Sequence, residues 1–215
     1  MDYKGLLEKT WKIFTDFLPA LLINTVGLIG ISIVTVGILA PVATAGYMQS
    51  LLLAIREDRK PEIGDLFSQM RLFLPLLGFG ILVFIALMVG FAVLVLPGII
   101  MVLALAFFCL YMLPLMTDQE MGLIDAIKES SRMAMEDPIA EHFVVVALFM
   151  GITAVGQSFV IGTLFTQPFA TIFILLVYEL KTGKEVAKPA SAPSMPSTPP
   201  PTTPSTPPPP PPEQG

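Results

Sequence analysis

The chain has one histidine, one cysteine and one tryptophan among 215 residues, and only 13% of its side chains are charged. Each scarcity excludes something. A single cysteine, Cys109, cannot close an internal disulfide; set among Phe107, Phe108 and Leu110 it is a packing residue. A reactive thiol is the alternative, although no neighbour would lower its pKa. A single histidine, His142, cannot hold a metal without ligands from elsewhere. A formal charge of −5 provides no basic surface for phosphate, which excludes nucleic acid as a partner. No serine or cysteine has a recognisable nucleophile context and no glycine-rich phosphate loop occurs. No catalytic, cofactor-binding or metal-ligating residue is therefore assigned, and the chain is not expected to be an enzyme.

Charge is missing most completely from three stretches. Between Arg71 and Asp118 lie 46 residues without a charged side chain; Phe17 to Ile55 gives 39 and His142 to Tyr178 gives 37. As a single helix the longest would run about 70 Å at 1.5 Å per residue, against a bilayer core of only ~30 Å. Each run therefore has room to cross, turn and return. Lipid offers the backbone no hydrogen-bond partner, so the arms must be helical. With a mean hydropathy of +0.77 and 54% hydrophobic residues, the expected fold is an all-α membrane protein. Six transmembrane helices are expected as three hairpins.

Proline spacing sets where those hairpins turn. Pro19 and Pro41 are 22 residues apart, as are Pro75 and Pro97, whereas Pro138 and Pro168 are 30 apart. A proline suits the first helical turn, where its missing N–H would be unpaired anyway. Each of the six is expected to open a crossing, with kinks as the alternative. The central turn is expected at Pro97-Gly98, and the third hairpin is expected to turn slowly through Gln157 to Gln167.

An amphipathic stretch precedes each run. The stripes are Tyr3, Leu6, Leu7, Thr10, Trp11, Phe14 and Phe17; then Ile63, Leu66, Phe67, Met70, Phe73 and Leu74; then Leu123, Ile124, Ile127 and Ala134. They fit helices lying in the headgroup plane, or helices packed on one another outside the membrane. All twelve basic residues fall between or outside the uncharged runs, from Lys4 to Lys188. With three hairpins they share one side, which the positive-inside rule makes cytoplasmic, together with both termini. Asp2, Glu8 and Asp16 interrupt the N-terminal segment, so the first helix is expected to remain as a signal-anchor.

Residues 1–186 form the expected helical domain. Residues 187–215, ending in six consecutive prolines from Pro207 to Pro212, form an expected disordered cytoplasmic tail, a spacer or a ligand for a proline-recognising domain.

Within the runs the polar side chains are amides and hydroxyls: Asn24, Thr25, Ser32, Thr35, Gln49, Gln157, Ser158, Thr166 and Gln167. They line a path or join helices by hydrogen bonds; in membranes such pairs average ~0.6 kcal/mol. Ala86 with Gly90, and Ala147 with Gly151, are small residues one turn apart that let helices approach closely. The absence of mid-membrane Asp, Glu, Lys or Arg speaks against an ion-coupled transporter. His142, beside Glu141 and near Asp137, is expected to be a solvated interfacial residue, with a metal or proton-relay role as the alternative.

Leu96-Pro97-Gly98-Ile99-Ile100, a crossing, and then Gly122-Leu123-Ile124-Asp125-Ala126-Ile127 with Ser130 resemble uncharacterised six-helix prokaryotic membrane families. These are similar to the membrane domain joined to some glycerophosphodiester phosphodiesterases. Arg56, Pro61, Asp65 and Phe67 fit the same pattern, and the likeness spans roughly residues 5 to 182. Glu136-Asp137-Pro138 replaces the Gly-Asn or Lys-Gly pair expected after the third amphipathic helix. The resemblance implies an architecture and a membrane and carries over no active site. The expected role is a non-enzymatic scaffold or accessory protein of the cytoplasmic membrane. Its partners would be the lipid bilayer and membrane or cytosolic proteins meeting its cytosolic face. The alternative is a channel or carrier for a small neutral or lipidic solute. Nothing in the pattern sets an oligomeric state.

Overall fold

Each uncharged run breaks into two helical arms near its middle. The computed structural model describes residues 2–136, 138–157 and 160–183; the expected tail, Asp137 and Ser158 lie outside them. The described residues are mostly helical, with no strand among them.

The first helix, α1 (Tyr3–Asp16), starts where the Asp2 side chain accepts the Gly5 N–H at 3.1 Å, an N-cap that satisfies one of the unpaired amides of the first turn. Its stripe of Leu6, Thr10 and Phe14 is buried, and Phe14 meets the ring of Phe169 edge-on. At Phe17 the chain bends by 85° into α2 (Leu18–Val34). Pro19 takes the second position of α2, and Pro41 the second position of α3 (Ala40–Glu57). The turn between them uses left-handed backbone at Val36 (φ +52°) and Gly37 (φ +80°). Eleven of the eighteen residues of α3 are buried, making it the most enclosed helix of the first half.

The second amphipathic stretch is not an α-helix. It forms two short 3-10 turns, Ile63–Phe67 and Met70–Leu72. Gly46 is the reason it lies where it does: the bare Cα lets the backbone of Asp65 and Leu66 press against α3. Asp65 then fixes the segment, accepting Ser50 Oγ at 2.6 Å, Arg59 Nη2 at 2.7 Å and the Glu62 N–H at 3.1 Å.

The central run yields α4 (Phe73–Val93) and α5 (Val95–Phe108), and their junction corrects the expected turn. The chain reverses at Leu94, whose backbone is extended (φ −161°, ψ 147°). Pro97 sits in the first turn of α5, where a residue without an N–H costs no helical hydrogen bond. Gly98 follows it inside the helix and serves close packing of the two arms. Beyond α5 come α6 (Met112–Asp118) and α7 (Leu123–Glu136).

The last run gives α8 (Ile139–Gln157) and α9 (Val160–Thr182). Here the slow turn through Gln157 to Gln167 is not found. Helix α9 has begun by Val160, and Pro168 lies in its interior. Helices α8 and α9 come very close where Gly156 faces Thr166, a contact that a larger residue would forbid.

Among the described residues four segments are long and apolar enough to cross a membrane: Ile63–Val93, Val95–Asp118, Ile139–Gln157 and Ile161–Thr182. The bent α1–α2 pair would make a fifth. The arms are unequal. The α2–α3 turn lies beside Leu77, Gly80, Ile81 and Phe84 of α4, and α4 continues from Phe84 to Val93, roughly 14 Å further. Along that extension Phe84, Met88, Val93 and Leu96 are all more than half exposed. Such a surface suits hydrocarbon and not water.

Candidate functional site: a charged cluster where α3, α6 and α9 end

The first charged residue after each uncharged run is Arg56, Asp118 and Glu179. In three dimensions these three meet. The Arg56 guanidinium donates Nη1–H to Asp118 Oδ1 at 2.5 Å and Nη2–H to Asp118 Oδ2 at 3.1 Å. It also donates Nε–H (3.0 Å) and Nη2–H (2.5 Å) to Glu179 Oε1. Two-pronged contact of this kind uses the planar fork that distinguishes arginine from lysine. Tyr178 donates its hydroxyl to Asp118 Oδ2 at 2.8 Å, and Gln119 Nε2 donates to the Tyr178 oxygen at 3.1 Å. The Asp118 and Glu179 side chains are 5% and 1% exposed, and Arg56 is 24% exposed. The cluster is therefore buried with one opening, at Arg56. It ties three helices together across 62 and 123 residues of sequence.

Beside it lies a second polar arrangement, created by a break in a helix. Pro114 has no N–H to offer the Leu110 carbonyl, and its ring would crowd that carbonyl, so α5 cannot run straight into α6. The break separates the Phe107 carbonyl from its helical donor, the Tyr111 N–H. Both groups find replacements: His142 Nε2–H donates to Phe107 O at 2.8 Å, and the Tyr111 N–H donates to Ser130 Oγ at 3.1 Å. This overturns the expectation of a solvated histidine. His142 is fully buried, with its ring against Phe107 and Tyr111, because it completes a broken helix. Lys181 closes the arrangement from above, donating Nζ–H to Met133 O at 3.0 Å and lying 5.0 Å over the Tyr111 ring.

The amides and hydroxyls of the uncharged runs are used mostly within their own helices. Ser32, Thr35 and Thr166 each donate to the carbonyl four residues back, and Asn24 does the same through Nδ2. Among the described serines and threonines there, three reach other elements: Thr25 Oγ1 lies 3.0 Å from the Tyr47 hydroxyl, Thr163 donates to Gly156 O of α8 at 3.2 Å, and Ser50 donates to Asp65. An apolar cleft of about 640 Å³ lies along α8, lined by Phe143, Ala147, Gly151 and Val155 with Thr166 of α9. Ala147 and Gly151 thus face open space, while Gly90 lies on Gly98. Cys109 is half-buried at the α5–α6 break. Among the described residues no group of three His, Cys, Asp or Glu side chains is arranged to hold a metal.

No family model, no curated protein and no solved structure matches the chain.

Proposed function

We propose that the chain is a non-enzymatic scaffold or accessory protein of the cytoplasmic membrane, to which membrane or cytosolic proteins attach at the cytosolic face. On this reading it crosses six times as three hairpins, with both termini in the cytoplasm. It would be a relative of the membrane domain joined to some glycerophosphodiester phosphodiesterases. The observation that carries the reading is the Arg56–Asp118–Glu179 cluster, which brings the end of one arm from each uncharged run to a common level. A face held rigid by buried ion pairs suits docking, and the opposite end of α4 and α5 presents only hydrocarbon. The interior hydroxyls that bond to their own helices support a solid body.

The apolar cleft along α8 favours the second reading, a carrier for a lipidic solute. Photo-crosslinkers placed at Lys60 and Lys128 on one hand, and at Ile85 on the other, separate the two. A scaffold gives discrete protein adducts from the first pair in native membranes and lipid adducts from Ile85. A carrier gives no protein adducts and moves a fluorescent lipid between leaflets of proteoliposomes.

A further inference from the structure

Phe143, Ala147, Gly151 and Val155 follow one another along α8 at four-residue spacing, so they stack on one face of the helix. The two ends of that row are large and more than half exposed, and the middle is small. A methyl group at Gly151 would meet nothing within 4 Å. A row built this way forms a saddle. Thr166 of α9 flanks it, and the tight approach of Thr166 to Gly156 closes its lower end. The cleft of about 640 Å³ occupies this saddle.

Its dimensions select an occupant. From Phe143 to Val155 the groove runs ~18 Å at 1.5 Å per residue, on a helix long and apolar enough to cross a membrane. One leaflet of a ~30 Å hydrocarbon core is about 15 Å deep. Spread over ~18 Å, the 640 Å³ leaves a cross-section of about 35 Å², roughly 6 Å across, whereas a helix with its side chains needs about 10–12 Å. The space suits a methylene chain and is too narrow for a second helix. The lining is hydrocarbon except for Thr166, whose hydroxyl already donates to Gly162 O at 3.0 Å, so a polar ligand finds no free donor there.

We propose that this groove seats one acyl chain of a bilayer phospholipid, drawn from the leaflet on the side of the Arg56–Asp118–Glu179 cluster. Phe143 opens the groove directly after His142, which lies at the α5–α6 break beside that cluster. Within a bilayer nothing is gained by leaving water, so a chain is held by close packing alone. In the saddle it touches protein on its floor and its flank, which the convex outer face of α4 does not offer. The seat is independent of the scaffold reading and is the binding half of the carrier reading. A seated chain that never changes leaflet removes the carrier and leaves the seat.

The test uses the full chain in lipid nanodiscs doped with a phosphatidylcholine that carries a diazirine midway along one acyl chain. Adducts are mapped by peptide mass spectrometry as the probe fraction rises. Adducts at Ala147 and Gly151 should saturate at a low probe fraction, while those at Ile85, on the open face of α4, should grow in proportion to it. Gly151→Leu has room for its side chain and fills the groove; adducts on α8 should then lose their saturation and follow the course of Ile85, with Tm unchanged. Proportional labelling at both places in the wild-type chain would overturn the proposal, and that comparison needs no variant. Saturation that survives Ala147→Leu combined with Gly151→Leu would overturn it too. So would ready disulfide dimerisation of Gly151→Cys in a Cys109→Ala background, which would give the groove to a second copy of the chain. Movement of a fluorescent lipid between leaflets of proteoliposomes reports on the carrier separately.

Discussion

Gly98 on α5 lies so close to Phe91 on α4 that a methyl group at Gly98 would stand 2.5 Å from the phenyl ring. The central pair is thus held by a contact just inside the helices, while Leu94 supplies the reversal. Gly98→Val should cost about 1–3 kcal/mol through overpacking. Phe91→Ala in the same chain should recover part of that loss. Pro97→Leu alone should keep both the pair and its orientation. Thermal unfolding in detergent reads all three, and a Pro97→Leu variant with altered topology would restore the turn to that residue.

Gly46 meets backbone, which cannot rotate away as a side chain can. A Cβ there would stand 2.5 Å from the carbonyl oxygens of both Asp65 and Leu66. Gly46→Ala should therefore destabilise by about 3 kcal/mol. Gly80→Ala, with open space around it, should be neutral or stabilising by up to ~1 kcal/mol, the difference in helix propensity. Equal effects at the two sites would show that the 3-10 segment does not press on α3.

Removing the guanidinium strands two buried carboxylates. Arg56→Ala should lose about 3 kcal/mol, and Arg56→Lys should recover little, because an ammonium cannot span both partners in fork geometry. Combining Arg56→Met with Asp118→Asn and Glu179→Gln removes charge from both sides and should be milder than Arg56→Ala. A triple variant worse than the single one would mean the cluster is a net source of stability.

The α5–α6 break gives two independent tests. His142→Phe keeps a ring but removes the N–H that serves Phe107 O, and Ser130→Ala exposes the Tyr111 N–H. Each should cost about 1–3 kcal/mol, the penalty for a buried unsatisfied group. Adding Pro114→Ala lets the helix run on, and the cost of both changes should shrink. Unchanged costs in the Pro114→Ala background would remove proline as the cause of the break.

Topology is tested by single cysteines in a Cys109→Ala background. Replacements at Lys9, Arg59, Lys128 and Lys184 should label only from the cytoplasm, and a replacement at Leu94 only from the opposite side. One basic position labelled from outside would break the three-hairpin arrangement.

The positions of the helices were legible because uncharged length and proline spacing act locally. Pro19, Pro41 and Pro97 all lie in first turns, as the missing N–H requires. Pro168 was misread because interior prolines are tolerated where neighbouring groups complete the backbone, which no spacing rule reveals. The 3-10 segment escaped notice for a related reason: its course is set by Gly46, which lies in a different helix. Arg56, Asp118 and Glu179 looked like three ordinary ends of apolar runs. Their signs, one positive and two negative, were the available signal, and reading it required asking which run-ends share a level. His142 was misjudged by its acidic neighbours in sequence, when the deciding contact lay 35 residues away.

The span between Arg56 and Glu179 has a meaning in time as well as in space. Chains grow at about 5–20 residues per second, so the 123 residues separating the pair take roughly 6 to 25 seconds to appear. Throughout that interval α3 carries an arginine whose second carboxylate does not yet exist. The α4–α5 pair faces less delay, since Gly90 and Gly98 bring its two arms together directly and its surface already suits lipid. The protein should accordingly assemble out of order, with the central pair settling in the bilayer while α3 stays loosely seated. Only when α9 emerges would Glu179 draw Arg56 into its final place.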